Sequence, residues 1–146
     1  MSIPQTGGGQ IENINQLTEY LESGCKPPKD WRIGTEHEKF GFNKDTLKPL
    51  PYEGDCSIKV MLENLRDTFD WAPVYEQGNL IGLEKNGANV SLEPGGQLEL
   101  SGAPLESIHK TCDEANLHLK EVKQIADGIG AGFLGLGAAP IWAHED

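Results

Sequence analysis

The chain has 146 residues, 12 Lys+Arg against 23 Asp+Glu, and a formal net charge of −11. That length suffices for one domain with its own core, while the acidic balance excludes a nucleic-acid surface, which needs a basic patch. No apolar run approaches the roughly 20 residues that span a bilayer, so a soluble, loop-rich protein without membrane partners is expected.

Residues 1–12 begin "MSIPQTGGGQ", without apolar periodicity, and are expected to form a flexible tail. The first basic residue is Lys26, so neither a secretory signal nor an arginine-rich transit peptide is visible, and the expected location is cytoplasmic. From Asn13 onward Ile14, Leu17, Tyr20 and Leu21 follow helical spacing, with Gly24 at the C-cap position. After "KPPKD" breaks the chain, "WRIGTEHEKFGF" at 31–42 alternates as a strand. Trp31, Ile33, Thr35, His37 and Lys39 then share one face, and Arg32, Glu36, Glu38, Phe40 and Phe42 the other.

Ser57 is the expected N-cap of a second helix that shows Ile58, Met61, Leu62, Leu65 and Phe69 on one face. Residues 73–101 form a meander of short strands with turns at Asn86-Gly87 and Pro94-Gly95-Gly96. Val90 and Leu92 alternate with Asn89, Ser91 and Glu93, and Leu98 and Leu100 with Gln97, Glu99 and Ser101. The longest helix is expected between Pro104 and Gly128, its core stripe being Leu105, Ile108, Cys112, Ala115, Leu119, Val122 and Ala126. The chain closes with "GAGFLGLGAAPIWAHED", a glycine-rich strand candidate followed by Pro140 and a polar end.

Gly130, Gly132 and Gly135 spell G-x-G-x-x-G, but a helix precedes the motif where a dinucleotide turn needs a strand. Asn89-Val90-Ser91 matches a glycosylation acceptor that has no meaning without secretion. His109 and His118 fall off the expected stripe, and no histidine has ligand spacing, so each is expected to be solvated or hydrogen-bonded. Cys25, Cys56 and Cys112 form neither a disulfide framework nor a zinc motif and are expected as small buried or half-buried thiols.

The carboxylates carry the chemistry. If 94–96 is the hairpin loop, Glu93 lies opposite Gln97 and Glu99 sits diagonally on the same face, about 7–8 Å away. With Glu36 and Glu38, three strands present four carboxylates to one space, an oxygen donor set for a hard divalent cation. The pattern alone equally admits glutamates that face solvent.

"WRIGTEHEKFGF" (31–42), "SLEPGGQLELSGAPLESIHKTCDE" (91–114) and "FLGLGAAPIW" (133–142) together resemble the plant and proteobacterial type of glutamate–cysteine ligase. The resemblance implies an α+β fold: a curved, mainly antiparallel sheet with helices on its outer face, a glutamine synthetase-like catalytic fold incomplete in this chain. Residues 13–146 are then the N-terminal part of a single catalytic domain, in a family whose members are roughly three times as long. It also implies ATP- and Mg²⁺-dependent joining of L-glutamate to L-cysteine through γ-glutamyl phosphate, the first step of glutathione synthesis. Glu36, Glu38, Glu93 and Glu99 take the places of the metal ligands, and Cys112 that of a redox-active cysteine whose partner lies downstream. No phosphate-binding Arg/Lys cluster is visible. The alternatives are a γ-glutamyl ligase with another amine acceptor and a non-catalytic, cation-binding or interaction module.

Overall fold

The structure is a computed structural model and describes residues 8–93 and 96–140. Residues 1–7 of the expected tail, Pro94-Gly95 of the expected turn, and the end beyond Pro140 lie outside the described residues.

Helix α1 (Ile14–Ser23) starts at Asn13, whose side chain accepts from the N–H groups of Asn15 and Gln16 while the Gln16 side chain accepts from the Asn13 N–H. This reciprocal cap satisfies donors that a helix start leaves open. Its apolar residues find no cover among the described residues, and Tyr20 and Leu21 remain 77% and 74% exposed. Strand β1 (Glu36–Asn43) is shorter than the 31–42 alternation implies; before it, Ile33 bridges Leu105 and Thr35 O accepts from the Gly102 N–H at 2.6 Å.

Helix α2 (Ile58–Phe69) begins at Ser57, whose hydroxyl accepts from the Val60 N–H, and buries Ile58, Met61, Leu62 and Leu65. The meander comprises β2 (Ala72–Glu76), β3 (Asn79–Lys85), β4 (Ala88–Glu93) and β5 (Gln97–Ser101). Its first two turns, Gln77-Gly78 and Asn86-Gly87, have positive φ at both residues, the twist that a tight hairpin demands. Helix α3 (Ile108–Ile129) leads into β6 (Ala131–Leu134), and the six strands order as β2-β3-β4-β5-β1-β6, every pair antiparallel. The chain is α+β, with a curved sheet, as expected.

Register sorts the sheet into two faces. Leu83, Val90, Leu100 and His37 stand in one cross-strand row, and Leu92, Leu98 and Lys39 in the next. This face carries the core: α2 lies over β3, α3 over β6, and the helices pack on each other, so both cover the sheet. Gly82, Ser91, Glu99 and Glu38 form a row on the other face, flanked by Asn89, Ser101 and Glu36 on one side and by Glu93, Gln97, Phe40 and Leu134 on the other.

Helix α3 departs from its expected limits and stripe. Ser107 caps its start, Pro104 lies before it, Gly128 sits inside it, and Gly130 ends it in the left-handed region. The buried positions are Thr111, His118, Glu121, Val122, Ile125 and Ala126, whereas Ile108, Cys112 and Leu119 are exposed. Two of the buried polar residues are satisfied by hydrogen bonds: Thr111 Oγ1 donates to Ile108 O at 2.9 Å, and Glu121 Oε2 accepts from Trp71 Nε1 at 3.3 Å. An apolar stripe cannot register such residues. Two thiols also differ from expectation, Cys25 and Cys112 being exposed and only Cys56 half-buried. The glycine motif follows a helix and runs into β6, which rules out the dinucleotide turn.

Candidate metal centre

Alternation along β1 and β5 puts Glu36, Glu38 and Glu99 on the face opposite α2 and α3, and the β1–β5 register sets Glu38 directly opposite Glu99. One carboxylate oxygen from each of the three lies within 4.8 Å of the other two. Glu36 and Glu38 are exposed, while Glu99 is buried, with 3% of its surface exposed. Ser91 Oγ donates to Glu99 Oε2 at 3.4 Å, and Ser101 Oγ donates to Oε1 at 3.0 Å. Each hydroxyl comes from the row position that places it beside Glu99, so two strands hold this one carboxylate in place.

Glu93 is the fourth member. Register puts Glu93 opposite Gln97, on the expected diagonal to Glu99, and burial first, then hydrogen bonding to the Glu93 carboxyl, raises the pKa of Glu99. Of the four glutamates picked out by the sequence, Glu36, Glu38 and Glu99 converge, and Glu93 stands beside Glu99. Two unit charges about 5 Å apart repel by about 3 kcal/mol at an effective dielectric of 20, and by under 1 kcal/mol in water. A group with Glu36 and Glu38 exposed and Glu99 buried falls between these limits. An open recess of about 530 Å³ lined by Glu36, Glu38, Gln97, Gly135 and Leu136 leads to the group. Beside it an apolar hollow of about 250 Å³ is lined by Phe40, Phe42, Leu47, Pro49 and Leu134.

The opposite face holds what sequence reasoning missed. Lys39 is 1% exposed, and its ammonium donates to His37 O at 3.1 Å and to Leu98 O at 3.2 Å. Burial lowers its pKa to about 8, against the pull of Glu38 and Glu99 on its charge. His118 on α3 is 3% exposed and neither ring nitrogen finds a partner among the described residues; burial first, then the charges of Lys39 and His37, pushes its pKa down to about 3. The expectation of a solvated or hydrogen-bonded His118 is thus corrected: it is a neutral ring packed under the sheet. His37 does lie opposite Glu36 and Glu38, as the alternation requires. Alternation set Lys39 on the face of His37, away from Glu36 and Glu38, but did not mark that face as the inner one. His118 offered no signal, because its neighbour Leu119 fits an apolar stripe better.

The family described as glutamate–cysteine ligase family 2 matches residues 32–146. The chain is 54% identical over 130 residues to the chloroplastic glutamate–cysteine ligase A of Oryza sativa subsp. japonica, covering 89% of this chain and 26% of that protein. It is 52% identical to the chloroplastic enzyme of Medicago truncatula and 51% identical to that of Arabidopsis thaliana, covering 89% of this chain and 25% and 24% of those proteins. The chain thus spans about a quarter of these relatives' length, rather than the third that the resemblance implied. The cytoplasmic expectation is overturned as well, since these relatives are named chloroplastic. That expectation rested on a missing basic leader, and a stretch matching a quarter of longer proteins says nothing about leaders. With the match covering most of its length, the chain belongs to glutamate–cysteine ligase family 2.

Proposed function

We propose that this chain is part of a ligase that joins the γ-carboxylate of L-glutamate to the amine of L-cysteine at the expense of ATP, the first step of glutathione synthesis. The observation that carries the reading is the convergence of Glu36, Glu38 and Glu99 within 4.8 Å, with Glu93 against Glu99. Around one octahedral Mg²⁺ with bonds of about 2.0–2.1 Å, ligand oxygens stand about 3–4 Å apart, so modest side-chain rotation closes the set. Glu36, Glu38, Glu93 and Glu99 would hold the ion, which when bound offsets the nucleotide's charge and aligns its terminal phosphoryl group.

The residues present divide the remaining work. Ser91 and Ser101 fix the Glu99 carboxylate, which is buried and least able to turn. The exposed Glu36 and Glu38 border the recess through which substrate enters. In the reaction a glutamate γ-carboxylate oxygen attacks the terminal phosphorus and ADP leaves; the cysteine nitrogen then attacks the acyl carbon, phosphate leaves, and the nitrogen loses a proton.

The test is formation of γ-glutamylcysteine from ATP, glutamate and cysteine by this chain joined to the remaining sequence of a full-length relative. Product is expected from the unaltered protein and not from Glu99→Gln. Full product formation by the Gln variant overturns the proposal.

A further inference from the structure

Lys39 occupies a position that packing alone would not give to a lysine. Its neighbours in the cross-strand row are Leu98 and Leu92, and an ammonium drawn out of water costs several kcal/mol unless its protons are bonded. Two of its bonds go to particular carbonyls. His37 O belongs to the peptide group that enters Glu38, and Leu98 O to the one that enters Glu99. Glu38 and Glu99 are the opposed pair of the carboxylate group.

These carboxylates repel each other across the β1–β5 pair, and the repulsion pushes the two strands apart where the site must be tightest. The ammonium lies on the far side of the same two peptide groups, bonded to both strands, and its charge attracts both carboxylates through the sheet. We propose that Lys39 is a positioning residue for the cation site, a clamp that ties the peptide groups entering Glu38 and Glu99 together so that their carboxylates converge on one ion. The clamp rests on the reading of the carboxylates as a cation site.

Sign separates this role from a purely electrostatic one. Removing a positive charge near a cation site tightens cation binding if charge is all that matters; removing a clamp weakens it. The experiment titrates the chain with Tb³⁺, an oxygen-seeking probe ion, reading affinity by luminescence and the number of bound waters by lifetimes in H₂O and D₂O. Lys39→Met keeps the length and loses the ammonium; Lys39→Leu, matching its row neighbours, serves if the Met variant does not fold. With native circular dichroism and cooperative unfolding retained, the variant is expected to bind Tb³⁺ about 10–100-fold more weakly, the usual effect of losing a ligand's supporting contact, and to leave more water on the ion. Equal or tighter binding by the folded variant, with the water count unchanged, overturns the clamp and leaves the cation site standing. Absence of binding to the unaltered chain, or equal binding by Glu99→Gln, removes the cation site itself and the clamp with it.

Discussion

Glu38 faces Glu99 directly across β1 and β5, and the residue after Glu38, Lys39, faces Leu98, the residue before Glu99, on the reverse side of the same sheet. One cross-strand step therefore separates a like-charged pair from a buried cation. The first follows from alternation. The second follows from the length of lysine, whose ammonium reaches back to the backbone of both strands.

The core lies under α2 and the middle of the sheet, and stability should follow it. Leu62 is 0% exposed and Leu119 39%. Leu62→Ala is expected to cost about 2–5 kcal/mol, and Leu119→Ala under about 1 kcal/mol, both read from urea unfolding midpoints at constant slope. Equal losses would mean that α3 turns Leu119 inward.

The apolar face of α1 should be energetically idle in this chain. Ile14, Tyr20 and Leu21 are 72%, 77% and 74% exposed, so Tyr20→Ser should change unfolding free energy by no more than about 0.5 kcal/mol. A larger loss would show that α1 packs on the domain in solution.

His118 gives stability a pH dependence. Its folded pKa is about 3, against 6.5 for the unburied ring, so the unfolded chain takes up a proton that the folded one refuses. Above 6.5 the ring is neutral in both states and contributes no slope. From 6.5 down towards 3 stability falls by up to about 1.4 kcal/mol per pH unit. Glu99, whose folded pKa is raised, works in the opposite sense as pH rises above 4.5. The difference between the unaltered chain and His118→Leu isolates the histidine: the variant should gain relative stability steadily on acidification below 6.5. A difference independent of pH would place His118 in water.

Much of this fold was legible in the sequence where one rule decides. Ser57 before a 3.6-residue apolar pattern gave α2, and Asn86-Gly87 between alternating runs gave the β3–β4 hairpin. The four glutamates were legible because strand alternation and a short loop fix their common face. The inner face of α3 was not. Thr111, Glu121 and His118 look like surface residues until their contacts with Ile108, Trp71 and the sheet are known. Nor was the burial of Lys39, whose side chain is charged but whose bonding partners are backbone atoms that any sequence has. Gln77-Gly78 also passed unmarked, glutamine being an unusual residue at positive φ.

In a full-length ligase containing this segment, Glu36→Gln and Glu93→Gln each remove one negative charge with little change of shape. Mg²⁺ should bind about 10–100-fold more weakly and γ-glutamylcysteine formation should slow, partly restored by raising Mg²⁺. Full activity in both variants would return these glutamates to the role of solvated strand residues.

The central claim, that the glutamates form a cation site, is tested most directly by the melting temperature of the unaltered chain and of Glu99→Gln, each with EDTA and with Mg²⁺. Without metal, the variant should melt higher, because a buried charge that repels Glu38 and Glu93 is gone. At ten times Kd, Mg²⁺ should stabilise the unaltered chain by about 1.4 kcal/mol, a rise of several degrees, and leave the variant nearly unchanged. Indifference of the unaltered chain to Mg²⁺, or an equal rise in both proteins, would contradict the account.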